Sequence, residues 1–157
     1  MQAATSNAVR GFPVEDTAAA VLRLQNGALA TISLSDTAVA PWSWDLASGE
    51  NPNFPAQPAP VTTHFLSGTN GSLTLPGLEL WSYAGERSWL SPISRVSLPV
   101  ERSSPYMAQL KHFCRVIRRQ EAPLITAADA TNTLRATLAI AEAARTGRSV
   151  EVQSKPC

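Results

Sequence analysis

Residues 17–36 read TAAAVLRLQNGALATISLSD, and this stretch decides the fold. Asn26-Gly27 between two short apolar runs is the strongest local hairpin signal, because a tight turn needs positive φ at both positions. Strands are expected over Thr17–Leu24 and Ala28–Asp36, on either side of Gln25-Asn26-Gly27. Alternation puts Ala18, Ala20, Leu22 and Leu24 on one face of the first strand and Ala30, Ile32 and Leu34 on one face of the second. Thr31, Ser33 and Ser35 take the opposite face. Side chains this small predict a sheet packed closely by helices or by another subunit. Upstream, Gln2–Asn7 is expected to add a third strand.

Downstream the alternation stops. Pro41, Pro52, Pro55, Pro58 and Pro60 fall within residues 37–60, which reads as loop. Trp42, Trp44 and Phe54 argue for an ordered loop, with one helical turn near Trp44–Ser48. A second hairpin is expected from His64–Ser67, the turn Gly68-Thr69-Asn70-Gly71, and Ser72–Leu75. Leu78–Tyr83 alternates, and Ile93–Leu98 is a weaker strand. The period then becomes helical. Ser103 or Ser104 caps a helix with Pro105 at its first position, where the missing N–H costs nothing. Tyr106, Leu110, Phe113, Cys114 and Ile117 are expected as its buried stripe. Lys111, Arg115, Arg118 and Arg119 decorate the other side, and Pro123 stops the chain from continuing. Thr126-Ala127-Ala128-Asp129 is a capping box opening a second helix, with Ala130, Leu134, Leu138 and Ala141 as the apolar face. Gly147 ends it, and Ser149–Gln153 is a closing strand. The class is α+β: an open, mostly antiparallel β-sheet with two main helices packed on one face. No repeat of fixed period occurs.

With 157 residues, 44% hydrophobic and 16% charged, the chain suits one domain with one core and is not a disordered tail. A net charge of +1 argues against a chain-wide grip on nucleic acid or an acidic membrane. No apolar run nears the ~20 residues that span a bilayer. The N-terminus has no secretion-signal character, and Cys114 and Cys157 make no disulfide framework or zinc site, so a cytoplasmic location is expected. There is no G-x-G-x-x-G and no G-x-x-x-x-G-K-[ST]. His64 and His112 share no metal-binding spacing, so no metal site is expected.

An ordered set of motifs remains. Val14-Glu15-Asp16-Thr17 heads a strand, Asn26-Gly27 forms a turn, and G-T-N-G-S-L occupies 68–73. Y-x-x-Q-L-x-H-F occupies 106–113, P-L 123–124, A-x-D-A-x-x-T-L 127–134, and G-R-x-V-x-V 147–152. In this order the set resembles the C-terminal domain of the Gfo/Idh/MocA family of NAD(P)-dependent oxidoreductases, from about residue 3 to residue 153. The resemblance implies a parent enzyme of roughly twice this size. Its N-terminal Rossmann domain binds NAD or NADP and carries an active-site lysine. Its C-terminal open sheet completes the substrate pocket, and the free sheet face commonly makes subunit contacts. The implied reaction is hydride transfer at a hydroxyl- or keto-bearing carbon, often of a sugar or cyclitol.

This chain lacks the family's Gly-rich turn, its Glu-Lys-Pro lysine motif and its Asp-x-x-x-His helix. No catalytic, cofactor-binding or metal-ligating residue carries over. The chain reads as the substrate-binding and oligomerisation domain of a truncated oxidoreductase, with Met1 an added start and no activity alone, because hydride transfer needs a cofactor held against the substrate. Expected partners are a second copy through the open sheet face and the Rossmann domain, with no nucleic acid and no membrane. The competing reading is a free-standing binding or interaction module on the same sheet.

Candidate substrate-binding residues are Trp42, Trp44, Asp45, Glu50, Asn51 and His64. Indole rings make flat apolar walls, and neighbouring carboxylates and amides hydrogen-bond hydroxyls. The alternative has both tryptophans plugging the sheet or a subunit contact. His64 has no carboxylate partner legible in sequence, which favours a structural or surface role. His112 is expected at the surface, Arg102, Lys111, Arg115, Arg118 and Arg119 on a solvated helix face, and Trp81 and Trp89, near Arg87, in packing. Cys114 is expected to be an inert thiol.

Overall fold

A computed structural model of the chain describes residues 1–55, 57, 59–99 and 103–152. The elements are β1 (Gln2–Ser6), β2 (Thr17–Arg23), β3 (Leu29–Ser35), α1 (Trp44–Ser48), β4 (His64–Ser67), β5 (Ser72–Leu75), β6 (Glu79–Ser82), β7 (Ser94–Ser97), α2 (Pro105–Ile117) and α3 (Ala127–Thr146). Every strand pair is antiparallel, which confirms the α+β class. The strands form two sheets rather than one: β1-β2-β3 and β4-β5-β6-β7. The chain divides into two compact units, Met1–Val39 with Ala122–Cys157, and Ala40–Glu121.

In the first unit, Ala18 faces Leu34, Ala20 faces Ile32 and Leu22 faces Ala30, which is the register the alternation predicts. The turn differs in kind. Gly27 N–H donates to Leu24 O at 2.9 Å and Leu24 N–H to Ala28 O at 2.8 Å, and Gly27 (φ +87) carries positive φ while Asn26 does not. This is a three-residue loop closed by a left-handed glycine, not a two-residue turn. Asn26 contributes through its side chain, whose Oδ1 accepts from Ala28 N–H at 3.1 Å.

Helix α3 packs on β1. Its capping box is present: Thr126 N–H donates to Asp129 Oδ2 at 3.1 Å and Asp129 N–H to Thr126 Oγ1 at 3.2 Å. The packed face is not the predicted one. Ala139 and Ala143 are buried, as is Ala20 of β2, whereas Ala130, Leu134, Leu138 and Ala141 are exposed. The small side chains of α3 and of the sheet let helix and sheet approach closely, a fit that a row of leucines would hold apart. The expected closing strand is reduced to one pair: Met1 and Val150 exchange backbone hydrogen bonds at 2.6 and 2.9 Å. Gln153 lies outside the described residues.

The link between β1 and β2 wraps around Asp16, which is 5% exposed. Its carboxylate accepts from Val9 N–H and Arg10 N–H, each at 3.0 Å, and from Thr17 Oγ1 at 3.0 Å. Donation from the Arg10 backbone, above all, holds this carboxyl below its ordinary value.

In the second unit, β4–β7 form a meander in which Leu66, Leu73, Leu80 and Val96 stand in one row across all four strands. Gly71 leads into β5 where a Cβ would sit 2.9 Å from Trp81 O, so the close approach of β6 requires glycine there. Helix α2 starts as predicted, with Ser104 as N-cap and Pro105 in its first turn. Its apolar stripe is not buried. Tyr106, Leu110, Phe113 and Ile117 stay half or more exposed, because no strand packs along α2 among the described residues. Cys114 is exposed too. The helix ends with Arg119 (φ +58) in the left-handed region, where Arg119 N–H donates to Val116 O and Gln120 N–H to Arg115 O. Among the described residues no helix is long and apolar enough to cross a membrane.

Candidate functional site

The proline-rich loop builds the candidate site. Ser43 caps α1 by accepting from Leu46 N–H at 3.4 Å, and Gly49 (φ +67) ends the helix in the left-handed region. That single reversal folds residues 50 and 51 back over the helix. Trp44 Nε1–H then donates to Glu50 Oε2 at 3.1 Å, and Asn51 Nδ2–H to Asp45 Oδ1 at 3.0 Å. Asn51-Pro52-Asn53-Phe54 closes as a β-turn, with Phe54 N–H on Asn51 O at 3.1 Å. Pro58, counted in this loop, lies outside the described residues.

The loop meets the sheet at β4. The Trp44 and His64 rings pack edge to face, with centroids 5.6 Å apart and planes at 78°. Such pairs contribute about 1 kcal/mol beyond area burial. His64 Nδ1 lies 2.8 Å from Thr63 Oγ1, and Thr63 N–H donates to Leu75 O at 2.8 Å, so the sheet ladder itself supports the imidazole. Trp44, Asp45, Glu50, Asn51 and His64 therefore share one linked cluster. Trp42 does not join it: its ring is exposed and makes no hydrogen bond or ring contact among the described residues. Thr63 escaped the sequence reading, since nothing in Thr-Thr-His marks which hydroxyl meets the ring.

The cluster combines an indole edge, an imidazole and two carboxylates on an exposed to half-buried surface. It is rich in acceptors, and such a surface suits a ligand bearing several hydroxyl groups. Among the described residues no group of three or more His, Cys, Asp or Glu could hold a metal ion.

The other singled-out residues fall elsewhere. His112 lies at the surface, partly covered, with its Nδ1 2.8 Å from Glu121 Oε2. Arg115 Nε binds the same oxygen at 2.8 Å. The arginine first, then the histidine, holds the Glu121 carboxyl below its ordinary value. Arg102 lies outside the described residues. Arg95 pairs with Glu79 at 3.1 Å and lies 5.7 Å from the centroid of Trp81, so that tryptophan does pack. Trp89 does not; it is fully exposed, on a loop whose Arg87 binds Thr69 O and Asn70 Oδ1.

Residues 1–152 match the family model of the oxidoreductase family, C-terminal alpha/beta domain. The chain belongs to the Gfo/Idh/MocA oxidoreductase family. A solved structure of an NAD-binding protein from Listeria innocua superposes with a TM-score of 0.63 at 21% identity, over 96% of this chain and 40% of that one. At that identity the likeness establishes the fold of this Gfo/Idh/MocA domain, and the chain spans 40% of that protein's length. No curated protein sequence matches. Among the described residues all strand pairs are antiparallel, and no strand leads through a Gly-rich turn into a helix, the arrangement that cradles a pyrophosphate.

Proposed function

We propose that this chain is the substrate-binding and subunit-contact half of an NAD(P)-dependent oxidoreductase. In the longer protein it works beside a Rossmann domain that holds NAD or NADP, and it is inactive without that domain. The reaction is hydride transfer between the nicotinamide and a hydroxyl- or keto-bearing carbon of a sugar, cyclitol or related polyol. The supporting observation is the family match over residues 1–152, taken with the convergence of loop and β4 side chains on one acceptor-rich corner.

In this reading Trp44 and His64 form a wall for the substrate ring, while Glu50, Asp45 and Asn51 accept from its hydroxyls. Trp42 joins only if substrate brings it in. The exposed face of the β1-β2-β3 sheet, with Ala4, Ala19, Val21, Thr31 and Ser33, pairs with a second copy, since flat faces of small side chains interdigitate closely. The assembly is cytoplasmic. The test is to express the contiguous longer polypeptide and follow nicotinamide reduction with a polyol panel. Trp44→Ala with Glu50→Ala is expected to raise KM strongly. An active enzyme whose KM ignores both substitutions removes the cluster from the substrate site. Absence of any nicotinamide-dependent oxidation removes the enzyme assignment itself.

A further inference from the structure

We propose that β3 is a docking edge for the β3 strand of a second copy, paired antiparallel so that the two three-stranded sheets run on as one. The proposal goes beyond the face contact above, because it uses the backbone of the edge strand and not the side chains of the sheet face. Hydrogen bonding within the sheet decides which backbone groups are free to pair. Leu24 N–H donates to Ala28 O and Asp36 N–H to Asp16 O, at the two ends of the β2–β3 register. In an antiparallel pair the residues that exchange bonds alternate. Ala30, Ile32 and Leu34 therefore direct their N–H and C=O to β2, and Leu29, Thr31, Ser33 and Ser35 turn theirs away from it. Among the described residues those outward backbone groups have no hydrogen-bond partner.

Two further features single out this edge. β3 has seven residues, pairs with β2 one to one without a bulge, and holds no proline and no charge, the devices that guard edge strands. The other edges are shorter or covered: β4 and β7 have four residues each, β7 carries Arg95, and beside β1 Val150 exchanges backbone bonds with Met1. The sequence Leu29–Ser35 is also self-complementary. About a two-fold axis at Ile32, Leu29 faces Ser35 of the second copy and Thr31 faces its Ser33, so every outward group finds a partner. Sliding the strands by two residues either way leaves an end unpaired. On the other face Ile32 meets Ile32 and Ala30 meets Leu34, a small side chain beside a large one. Asp36 then lies opposite Ala28, so like charges do not meet. Leu29 and Leu34, 71% and 60% exposed, lose water in this pairing.

The experiment combines amide hydrogen exchange by NMR with sedimentation of the 157-residue chain over a dilution series. Association is expected, and the amides of Leu29, Thr31, Ser33 and Ser35 should exchange faster on dilution while those of Ala30, Ile32 and Leu34 stay protected. A contact through the sheet face gives those four amides no acceptor, so the alternation separates the edge from the face. Ser33→Pro deletes one outward N–H that β2 does not use, and is expected to halve the sedimenting mass with far-UV circular dichroism unchanged. Ile32→Lys and Ile32→Glu are each expected to abolish the dilution-dependent protection, by opposing like charges at the two-fold, and to restore it when mixed. Ala19→Lys, on the sheet face, is expected to leave the exchange pattern intact. A mixture that stays apart overturns the proposal, as does a folded Ser33→Pro chain of unchanged mass. A chain that remains monomeric overturns it too, whether the four amides exchange freely or are protected at every dilution; protection would place another part of the same chain on this edge. None of these readouts involves nicotinamide or substrate, so the proposed enzyme is decided separately.

Discussion

Gly71→Ala tests whether the β4–β7 meander is held by close backbone approach. The added Cβ would lie 2.9 Å from Trp81 O, 3.6 Å from Ser82 Cβ and 3.7 Å from Leu80 Cδ1. A comfortable carbon–oxygen contact is about 3.3 Å, so the carbonyl must retreat by about 0.4 Å. Trp81 is not free to retreat, since it pairs with Ser72 of β5 and Arg95 of β7. Yielding on one side strains the ladder on the other. Overpacking of this kind costs about 1–3 kcal/mol. With a urea slope of about 2 kcal/mol/M, the midpoint should fall by about 1 M with the slope unchanged. Two other glycines serve as controls. Gly85 has no atom within 4 Å of a built Cβ and no positive φ, so Gly85→Ala should raise stability by about 0.5 kcal/mol through the unfolded chain. Gly27 has equal space but φ +87, so Gly27→Ala should cost about 1–2 kcal/mol from conformation alone. A Gly71→Ala midpoint at or above that of Gly85→Ala would refute the close-approach argument.

The remaining predictions concern single sites. Arg119→Gly removes a bulky residue from the left-handed C-terminal position of α2 (φ +58) and should stabilise by about 1 kcal/mol, raising Tm by about 2–4 °C in a thermal melt. The Asp16 carboxyl is held below its ordinary 3.8, so its stabilisation is complete above that value and is lost as pH falls through it towards the lower folded value. Asp16→Ala should therefore destabilise at neutral pH and show a shallower acid loss in denaturant titrations run from pH 6 downward. Glu121 is lowered from 4.5 in the same sense, and Glu121→Gln should flatten the corresponding part of the stability curve, while Lys111→Ala leaves it unchanged. Glu50→Ala frees the Trp44 indole N–H and should change the environment-sensitive emission of that ring, measured against a Trp42→Phe, Trp81→Phe, Trp89→Phe background.

Local chemistry made much of the fold legible. The seven strands up to Ser97, the faces of β2 and β3, the Ser104-Pro105 start of α2, the Thr126–Asp129 capping box and the Gly147 stop each depend on a few neighbouring residues, and each stands in the structure, whereas the expected closing strand after Gly147 is reduced to one backbone pair. The short helix in the proline-rich loop was legible for the same reason. Other features required distant partners. Periodicity identified an apolar stripe on both long helices but could not say what lies opposite, so α3 packs through Ala139 and Ala143 while its leucines face outward, and the stripe of α2 stays uncovered. The His112–Glu121–Arg115 cluster depends on a left-handed Arg119 that no sequence rule favours.

The candidate site divides along the same line. Residue type and loop composition singled out Trp44, Asp45, Glu50, Asn51 and His64 as chemically suited to a polyol. Composition alone could not separate them from Trp42, and it gave no hint of Thr63. Those choices were made by the reversal at Gly49 and by the ring contact of Trp44 in α1 with His64 in β4, while Thr63 is fixed by its backbone bond to Leu75 O across the sheet. Propensities and turn chemistry act over one or two helical turns, and the sequence determined what they control. Which side chains share a surface depends on the path of the whole backbone, and only the tertiary structure decided it.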